Sequence, residues 1–407
     1  PQLGRLLPLP AVALLAGLSA TASLTDAGHF AGVARPVGVL AGCVAAWRKL
    51  PFIAVVIIAA ATAAILRLLG ASASDARVTA EVLTASDLRG IESHGVARLE
   101  QYVKMIQEGM LDPAAQPVIV RQSGATALVD GQNGLGQVAG VFAMRLAIEK
   151  AKVADVGVVS LSHSNHYGIA GYYPMMALEH DMIGISLTNS SPLVAPTGGR
   201  APMLGTNPIA FAAPTGDDLP FVLDMATSTV PKGRIEVAAR KGIPLGAGWS
   251  IDAAGRPTVD AAAAIDGALL PLGGSLESGG YKGYGLAALV DILTGVLSGS
   301  LYGPLIGRLW QADRPSVLGQ FFLALRPDAF GPLDAFQERL RDLRHLLHEG
   351  PLAEGASEIL LAGEKEARAT AVNRRLGIPV HPSVVARLEE LGAPAGLGPL
   401  PRRESAA

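Results

Sequence analysis

From about residue 75 onward, short apolar β-branched runs alternate with longer stretches whose apolar positions recur at helical spacing. Val156-Gly157-Val158-Val159-Ser160-Leu161 reads as a buried strand, Ala127–Asp130 and Ile183–Leu187 read as strands, and Ile209–Ala213 is a further apolar run. Phe221-Val222-Leu223-Asp224-Met225-Ala226-Thr227-Ser228 reads as a strand running into a helix start. Between them, the spacing predicts a helix from Asp75 through Ser86, capped by Ser72 or Ser74. A second covers about Val96 to Glu108, with Leu99, Tyr102, Val103 and Ile106 on one face and Gly109 ending it. Further helices are expected from Val138 to Val153 and from Ala170 to Glu179, and Tyr281-Lys282-Gly283-Tyr284-Gly285 opens a long apolar one. Strands alternating with helices argue for the α/β class.

The first 70 residues follow a different rule. Pro51-Phe52-Ile53-Ala54-Val55-Val56-Ile57-Ile58 continues through Ala-rich sequence to Leu66 without a charge. A spanning helix needs ~20 apolar residues, and this run reaches the bottom of the usable range, with Lys49 and Arg67 placed to snorkel at its ends. A membrane-associated helix over 50–69 is therefore the leading expectation, and a buried soluble helix the alternative. Ala11 to Leu24 and Val37 to Trp47 are weaker candidates. The pattern is not that of a secretory signal peptide, because the strongest apolar run lies too far from the start. Residue 1 is Pro, so a fragment or a fused reading frame is a second account of the segment.

Charge sharpens that division. Residues 1–70 carry five basic residues against Asp26 alone, a net +4, which leaves −6 for the remainder of a chain whose total is −2. The domain organisation expected is thus a hydrophobic helical segment over 1–70, a catalytic body over 71–380 and a tail over 381–407, mobile from Ala393. Half the residues are hydrophobic and 17% are charged, so a sizeable core forms and general disorder is excluded. The near-neutral balance argues against a nucleic-acid partner. The single cysteine, Cys43, permits neither an intrachain disulfide nor a cysteine-based metal cage, and no zinc motif or P-loop occurs.

The candidate chemistry gathers where the strand Val156–Leu161 ends. Ser162-His163-Ser164-Asn165-His166-Tyr167-Gly168 puts two histidines and an asparagine where α/β proteins usually carry out reactions. Histidine moves protons best near neutral pH. Ser93-His94-Gly95-Val96-Ala97-Arg98 supplies a third histidine and an arginine four residues on, on the same face if the helix has begun by then. Reduction of a 2-oxo acid needs a hydride donor, a proton donor for the developing alkoxide and a cation for the carboxylate, for which a guanidinium fork is well shaped. His166 is the first choice for the acid/base, His94 its rival, and Arg98 the carboxylate clamp; a surface ion pair of Arg98 with Glu92 or Glu100 is the bland alternative. Gly134-x-Gly136-x-x-x-Gly140 is one residue too long for a dinucleotide fingerprint, so these glycines read as turn and packing residues.

With Gly205-Thr206-Asn207-Pro208, these motifs resemble the family of malate/L-lactate dehydrogenases that lacks the usual dinucleotide fold and includes ureidoglycolate, sulfolactate and diketogulonate enzymes. The resemblance covers about Asp75 to Val380. It implies a mixed-sheet sulfolactate-dehydrogenase-like fold rather than a Rossmann fold, a homodimer, NAD or NADP as cofactor, and a small 2-hydroxy or 2-oxo acid as substrate, malate or lactate by default. It also implies cofactor contacts at Ser190, at Asp224, Met225 and Ala226, at Lys282 and Gly283, and at Gly363, Glu364 and Lys365 in a late loop. Ureidoglycolate-type relatives give the proton to the residue matching His166, diketogulonate-type relatives to that matching His94. His163 has no counterpart and reads as a loop or supporting histidine. Ala362 and Arg234 stand where the family usually has Pro and Lys, which weakens any contact there. Asp224 can equally cap a following helix. Residues 31–70 bear a faint resemblance to the tail of a small subunit of a branched-chain amino-acid exporter. The rival enzyme readings are ureidoglycolate oxidation and reduction of a cyclic imine carboxylate. The rival from another class is a membrane transport or scaffold protein carrying an inactive dehydrogenase relic. The catalytic body is expected in the cytoplasm, where the nicotinamide pool lies.

Overall fold

One mixed sheet of seven strands organises the described residues. The computed structural model describes residues 52–307 and 315–400, together with a short pairing of Thr25–Asp26 with His29–Phe30. The sheet strands are β1 (Val118–Gln122), β2 (Thr126–Asp130), β3 (Val156–Ser164), β4 (Ile183–Thr188), β5 (Ile209–Ala213) and β6 (Phe221–Met225). A small three-stranded sheet of β7 (Ser250–Ile251), β8 (Pro257–Thr258) and β9 (Ala268–Leu269) intervenes before β10 (Leu318–Leu325) returns to the large one. The large sheet runs β1-β2-β3-β10-β4-β5-β6; among its described strands only β2 and β3 pair in parallel, and β10 pairs antiparallel with both β3 and β4. The chain is therefore of the α/β class with a mixed sheet, and no run of parallel βα units of the Rossmann kind is present among the described residues.

The helices are α1 (Phe52–Leu68), α2 (Ala73–Leu88), α3 (Leu99–Gln107), α4 (Gly136–Ala154), α5 (Tyr172–Leu178), α6 (Lys232–Lys241), α7 (Ala261–Ile265), α8 (Gly280–Asp291), α9 (Leu333–His348), α10 (Glu364–Leu376) and α11 (Pro382–Gly392). Ser72 caps α2, accepting from the Asp75 amide at 3.1 Å. α4 packs on β3 through small residues that allow close approach. A Cβ on Gly157 would lie 1.9 Å from the Ala147 carbonyl oxygen, and one on Gly140 would lie 2.6 Å from the Tyr173 ring. The glycines after β2 are thus the turn and packing residues expected. The core between helix and sheet holds Val129, Val159, Leu161 and Phe322 from strands and Met144 and Ile148 from α4. Each large side chain buried this way contributes about 1.5–3 kcal/mol.

The expectation of a membrane helix over 50–69 is corrected. Among the described residues no helix is long and apolar enough to cross a membrane. α1 has 17 residues, about 26 Å at 1.5 Å each, short of a hydrocarbon core of about 30 Å. Its Ile58, Ile65 and Leu66 are buried with Leu83, Leu99 and Tyr102 in one cluster. The apolar run serves as a core helix, as the alternative reading had it. Ala11 to Leu24 and Val37 to Trp47 lie outside the described residues. At the other end, α11 joins the same cluster through Leu388, and Leu397 and Leu400 pack against it.

Candidate active site

The sheet register brings one end of four strands together. β3 and β4 run the same way on either side of β10, and Leu318 of β10 lies opposite Ser164 while Gln320 lies opposite Thr188. β5 begins at that end, with Ile209 opposite Leu187, and β6 finishes there, with Met225 opposite Ile209. Asn165-His166, Asn189-Ser190, Thr206-Asn207 and Ala226-Thr227 therefore leave the sheet on one edge, where open α/β sheets place their ligands.

His166 and His94 meet at this edge. Their rings stack with centroids 5.4 Å apart and an interplanar angle of 21°. Each keeps part of its surface accessible. Burial lowers the His94 pKa to about 4, with Arg98 adding to the effect. Burial also holds His166 well below the usual histidine value, helped by His94 and Arg98. Two imidazoles and a guanidinium in one place keep both rings neutral and make the pocket attractive to an anion.

His94 ends a short 3₁₀ turn, Glu92–His94, and Arg98 ends a second, Val96–Arg98. The Arg98 Nε donates to the Ser93 carbonyl at 2.6 Å, and its Nη1 lies 3.4 Å from Gln101 Oε1. Glu236 on α6 also acts on Arg98. Glu100 pairs with Arg387 at 3.0 Å. Asp87, near the end of α2, fixes the turns: its Oδ2 accepts from the Val96 amide at 2.8 Å. A Cβ on Gly95 would overlap the Asp87 carboxyl at 1.8 Å, so glycine is required there. Burial raises the Asp87 pKa to about 7 against the opposing Val96 hydrogen bond, and Glu92 raises it further.

His163 stands apart, exposed and paired with Asp130 at 3.0 Å. Two further residues at the histidines escaped the sequence reading. The Tyr102 hydroxyl is 2.7 Å from His166 Nδ1, and Gln137, fully buried at the start of α4, lies against the same hydroxyl. Tyr102 was read as one more apolar residue of its helix. The signal available was its spacing, four positions beyond Arg98 and eight beyond His94.

Of the residues assigned to a cofactor by resemblance, Ser190 and Gly283 are joined through Thr206, Thr227 and Leu272, whereas Gly363 packs on Val222 near the opposite end of β6. Ser190 Oγ accepts from the Thr206 amide at 3.0 Å, and its own amide donates to Asn207 Oδ1 at 3.2 Å. The Thr227 amide donates to the Thr206 carbonyl, and the Leu272 amide to that of Thr227. Gly283 packs so closely on Leu272 that a Cβ would lie 2.2 Å from its carbonyl oxygen. Asp224 is not the N-cap of a following helix; it lies on β6, and its Oδ2 accepts at 2.7 Å from the amide of Gly171, the residue before α5. Burial raises its pKa, against that hydrogen bond and the Arg89 charge. The Ala362 carbonyl accepts from the Val222 amide at 3.2 Å, and Gly363 packs on Val222. The late loop gives way to α10 immediately, so Glu364 and Lys365 are helical; Glu364 is buried and bonded to His348, and Lys365 is exposed. Arg234 lies over the Trp249 ring at 5.5 Å.

This donor set fits a dinucleotide. α8 and α10 begin at Gly279 and Gly363, both at positive φ and neither supplying a capping side chain. The Lys282 ammonium, on the first turn of α8, suits a phosphate oxygen, and the Ser190 and Thr206 hydroxyls suit a polar ring substituent.

A model of the family described as malate/L-lactate dehydrogenase matches residues 55–389. The malate dehydrogenase of Pyrococcus abyssi is 44% identical over 335 residues, which is 82% of this chain and 92% of that protein. The NAD(+) ureidoglycolate dehydrogenase of Escherichia coli K12 is 33% identical over 300 residues, 73% of this chain and 83% of its own. Among solved structures, the sulfolactate dehydrogenase of Methanocaldococcus jannaschii superposes with a TM-score of 0.79 at 37% identity, covering 86% of this chain and 97% of that one. The family match starts inside α1, which agrees with the packing of that helix in the core.

Proposed function

The chain belongs to the malate/L-lactate dehydrogenase family, and from that premise we propose that it interconverts malate and oxaloacetate with a nicotinamide cofactor. The observation that carries this reading is the cluster of His166, His94 and Arg98 at the sheet edge, next to the Ser190–Thr206–Thr227 band. The kinship with a malate dehydrogenase at 44% identity supports malate over other 2-hydroxy acids. The relative whose name specifies NAD(+) supports NAD over NADP.

Nicotinamide, when bound, supplies or receives the hydride at C2. His166 takes the hydroxyl proton in the oxidative direction and returns it in the reductive one. Its depressed pKa leaves the ring neutral and ready to accept a proton. An acid bound beside it brings negative charge, which favours the protonated ring needed for reduction. Arg98 holds the carboxylate, and the Ser93 carbonyl fixes the plane of its fork. His94, stacked on His166, walls the pocket and donates to the second carboxylate of a dicarboxylic acid. Ser190, Asp224, Met225, Ala226, Lys282, Gly283, Gly363 and Glu364 hold the cofactor; Lys365, exposed on the first turn of α10, closes over it from the rim. The exposed apolar stripe Tyr281, Tyr284, Leu289, Ile292 and Val296 along α8 and its continuation supports a homodimer.

The test is a panel of 2-oxo acids assayed with NADH and with NADPH by loss of absorbance of the reduced cofactor. Oxaloacetate should give the highest kcat/KM, with NADH preferred. Turnover of a cyclic imine carboxylate with none of the 2-oxo acids reduced would overturn the reading.

A further inference from the structure

Between β4 and β5 the chain passes through Gly205-Thr206-Asn207-Pro208, and Asn207 is fully buried there beside the Ser190 and Thr206 hydroxyls. Its side chain is spent at both ends. Oδ1 accepts from the Ser190 amide at 3.2 Å, and Nδ2 donates to the Ala287 carbonyl on α8 at 3.0 Å. Its own carbonyl accepts from the Thr227 hydroxyl at 3.1 Å. The surroundings are tight: a Cβ on Gly205 would lie 2.3 Å from Ser190 Oγ and 2.5 Å from Asn207 Oδ1.

These partners select the residue type. A backbone N–H only donates and a backbone carbonyl only accepts, so position 207 needs an acceptor and a donor on one short, flat group. Asparagine supplies both. A carboxylate has no donor for Ala287, and a hydroxyl is too small to reach both partners. The backbone makes a matching demand. Asn207 has φ +36°, in the left-handed region that asparagine enters more readily than most residues with a side chain. Pro208 follows, and a proline disfavours the ordinary helical conformation in the residue before it. Backbone strain of this kind persists where surrounding bonds over-determine it, and it gathers at ligand sites.

The amide joins two parts of the cofactor site. On one side is Ser190, whose Oγ accepts from the Thr206 amide at 3.0 Å and lies 3.3 Å from the Thr206 hydroxyl. On the other is α8, which carries both Lys282 and Ala287. The rise between those two positions is about 7.5 Å of rigid helix, so a bond at Ala287 fixes where Lys282 stands. We propose that Asn207 is a positioning residue for the cofactor: its amide locks the Ser190 loop to α8 and sets the spacing between the Ser190–Thr206 hydroxyl pair and the Lys282 ammonium. The proposal rests on Ser190 and Lys282 being cofactor contacts. A dinucleotide that touches both must match that spacing, and a spacing fixed in advance spares the cost of ordering it on binding.

NADH fluorescence titrations on the full chain read the effect without turnover. Asn207→Gly relieves the backbone and removes both side-chain bonds. Asn207→Asp keeps the acceptor for Ser190 and removes the donor to Ala287. The Kd for NADH should rise about tenfold in Asn207→Gly, the scale of a lost buried hydrogen bond, and should rise in Asn207→Asp as well. KM for oxaloacetate at saturating NADH should hold, because Arg98 and His166 sit on other elements. Ser190→Ala and Lys282→Ala should each weaken NADH binding. Wild-type affinity in both Asn207 variants, with Ser190→Ala and Lys282→Ala weakened, overturns the proposal; a fallen thermal midpoint beside it would mark a purely structural asparagine. Wild-type affinity in Asn207→Asp alone overturns the tie to α8. Hydrogen exchange on the wild type decides the matter if neither variant folds: NADH should slow exchange around Ser190 and along α8 together, and slowing at only one of them overturns the proposal. Wild-type NADH affinity in both Ser190→Ala and Lys282→Ala would instead overturn the cofactor reading, and the proposal with it.

Discussion

His94 and His166 stack on one another at 5.4 Å, so the two histidines that sequence left as rivals for one proton occupy one site. They come from a turn before α3 and from the end of β3, and Arg98 stands by both. Their division of labour is open to separation. His166→Ala should cost ~10²–10⁴ in kcat, the usual share of general acid/base catalysis. His94→Ala should act mainly on KM for dicarboxylic acids. Steady-state kinetics on both variants decide it, and a dead His94→Ala beside a turning-over His166→Ala would move the proton to His94.

The clamp is tested by Arg98→Lys. Charge is kept and the planar fork is lost, so KM for every 2-oxo acid should rise while NADH quenching titrations stay as in the wild type. An unchanged KM across the panel would remove Arg98 from the role.

Acid should destabilise the fold through these histidines. An unfolded histidine titrates near 6.5, whereas His94 in the fold titrates at about 4 and His166 well below the ordinary value. The unfolded chain therefore holds more protons as pH falls below 6.5, and stability falls with it. Urea midpoints should drop between pH 7 and pH 5, and less steeply in His94→Gln.

Asp87 works with the opposite sign. Its folded pKa is about 7 against 3.8 in the unfolded chain. What it contributes is complete below 3.8 and is lost as pH rises through 7. Asp87→Asn keeps the oxygen that accepts from Val96, so its stability relative to the wild type should improve from pH 5 to pH 8. A difference that stays flat with pH would show that the carboxyl is ionised in the fold throughout.

Leu66 is fully buried on α1 among Leu83, Leu99 and Tyr102. Leu66→Ala should lower the unfolding free energy by about 2–5 kcal/mol, with the active-site turns loosened through Tyr102. A loss below half a kcal/mol would restore the reading of this helix as separable from the enzyme body.

Much of this was legible in the chain because the local patterns agreed with the fold. The Val156–Leu161 run, the caps at Ser72 and the small residues of α4 each announce an element that exists. His94, Arg98 and His166 were legible as chemistry for the same reason: their motifs are local. What escaped was non-local. β1 is exposed along most of its length, so it lacks an inward apolar face to read. β10 begins with Leu318-Gly319-Gln320, and the Gly319 partner Asn189 is 130 positions away. α1 was misjudged because uninterrupted apolar sequence is what both a bilayer and a core demand, and only its packing partners tell them apart. Tyr102 was missed because it is unremarkable in its own helix and acquires meaning only beside His166.

The place of β10 also sets a timetable. It is the last strand of the sheet in sequence and sits in the middle of it, between β3 and β4. As the chain leaves the ribosome, β3 and β4 emerge well ahead of the strand that must lie between them, each with an uncovered edge. Pairing over so long a separation is slow to form, and open edges invite association in the meantime. His166 and Ser190, at the ends of those two strands, take up their final spacing only when residues 318–325 have been synthesised and inserted. A ribosome stalled before that point therefore holds a nascent chain with every active-site residue ahead of β10 already made and no active site.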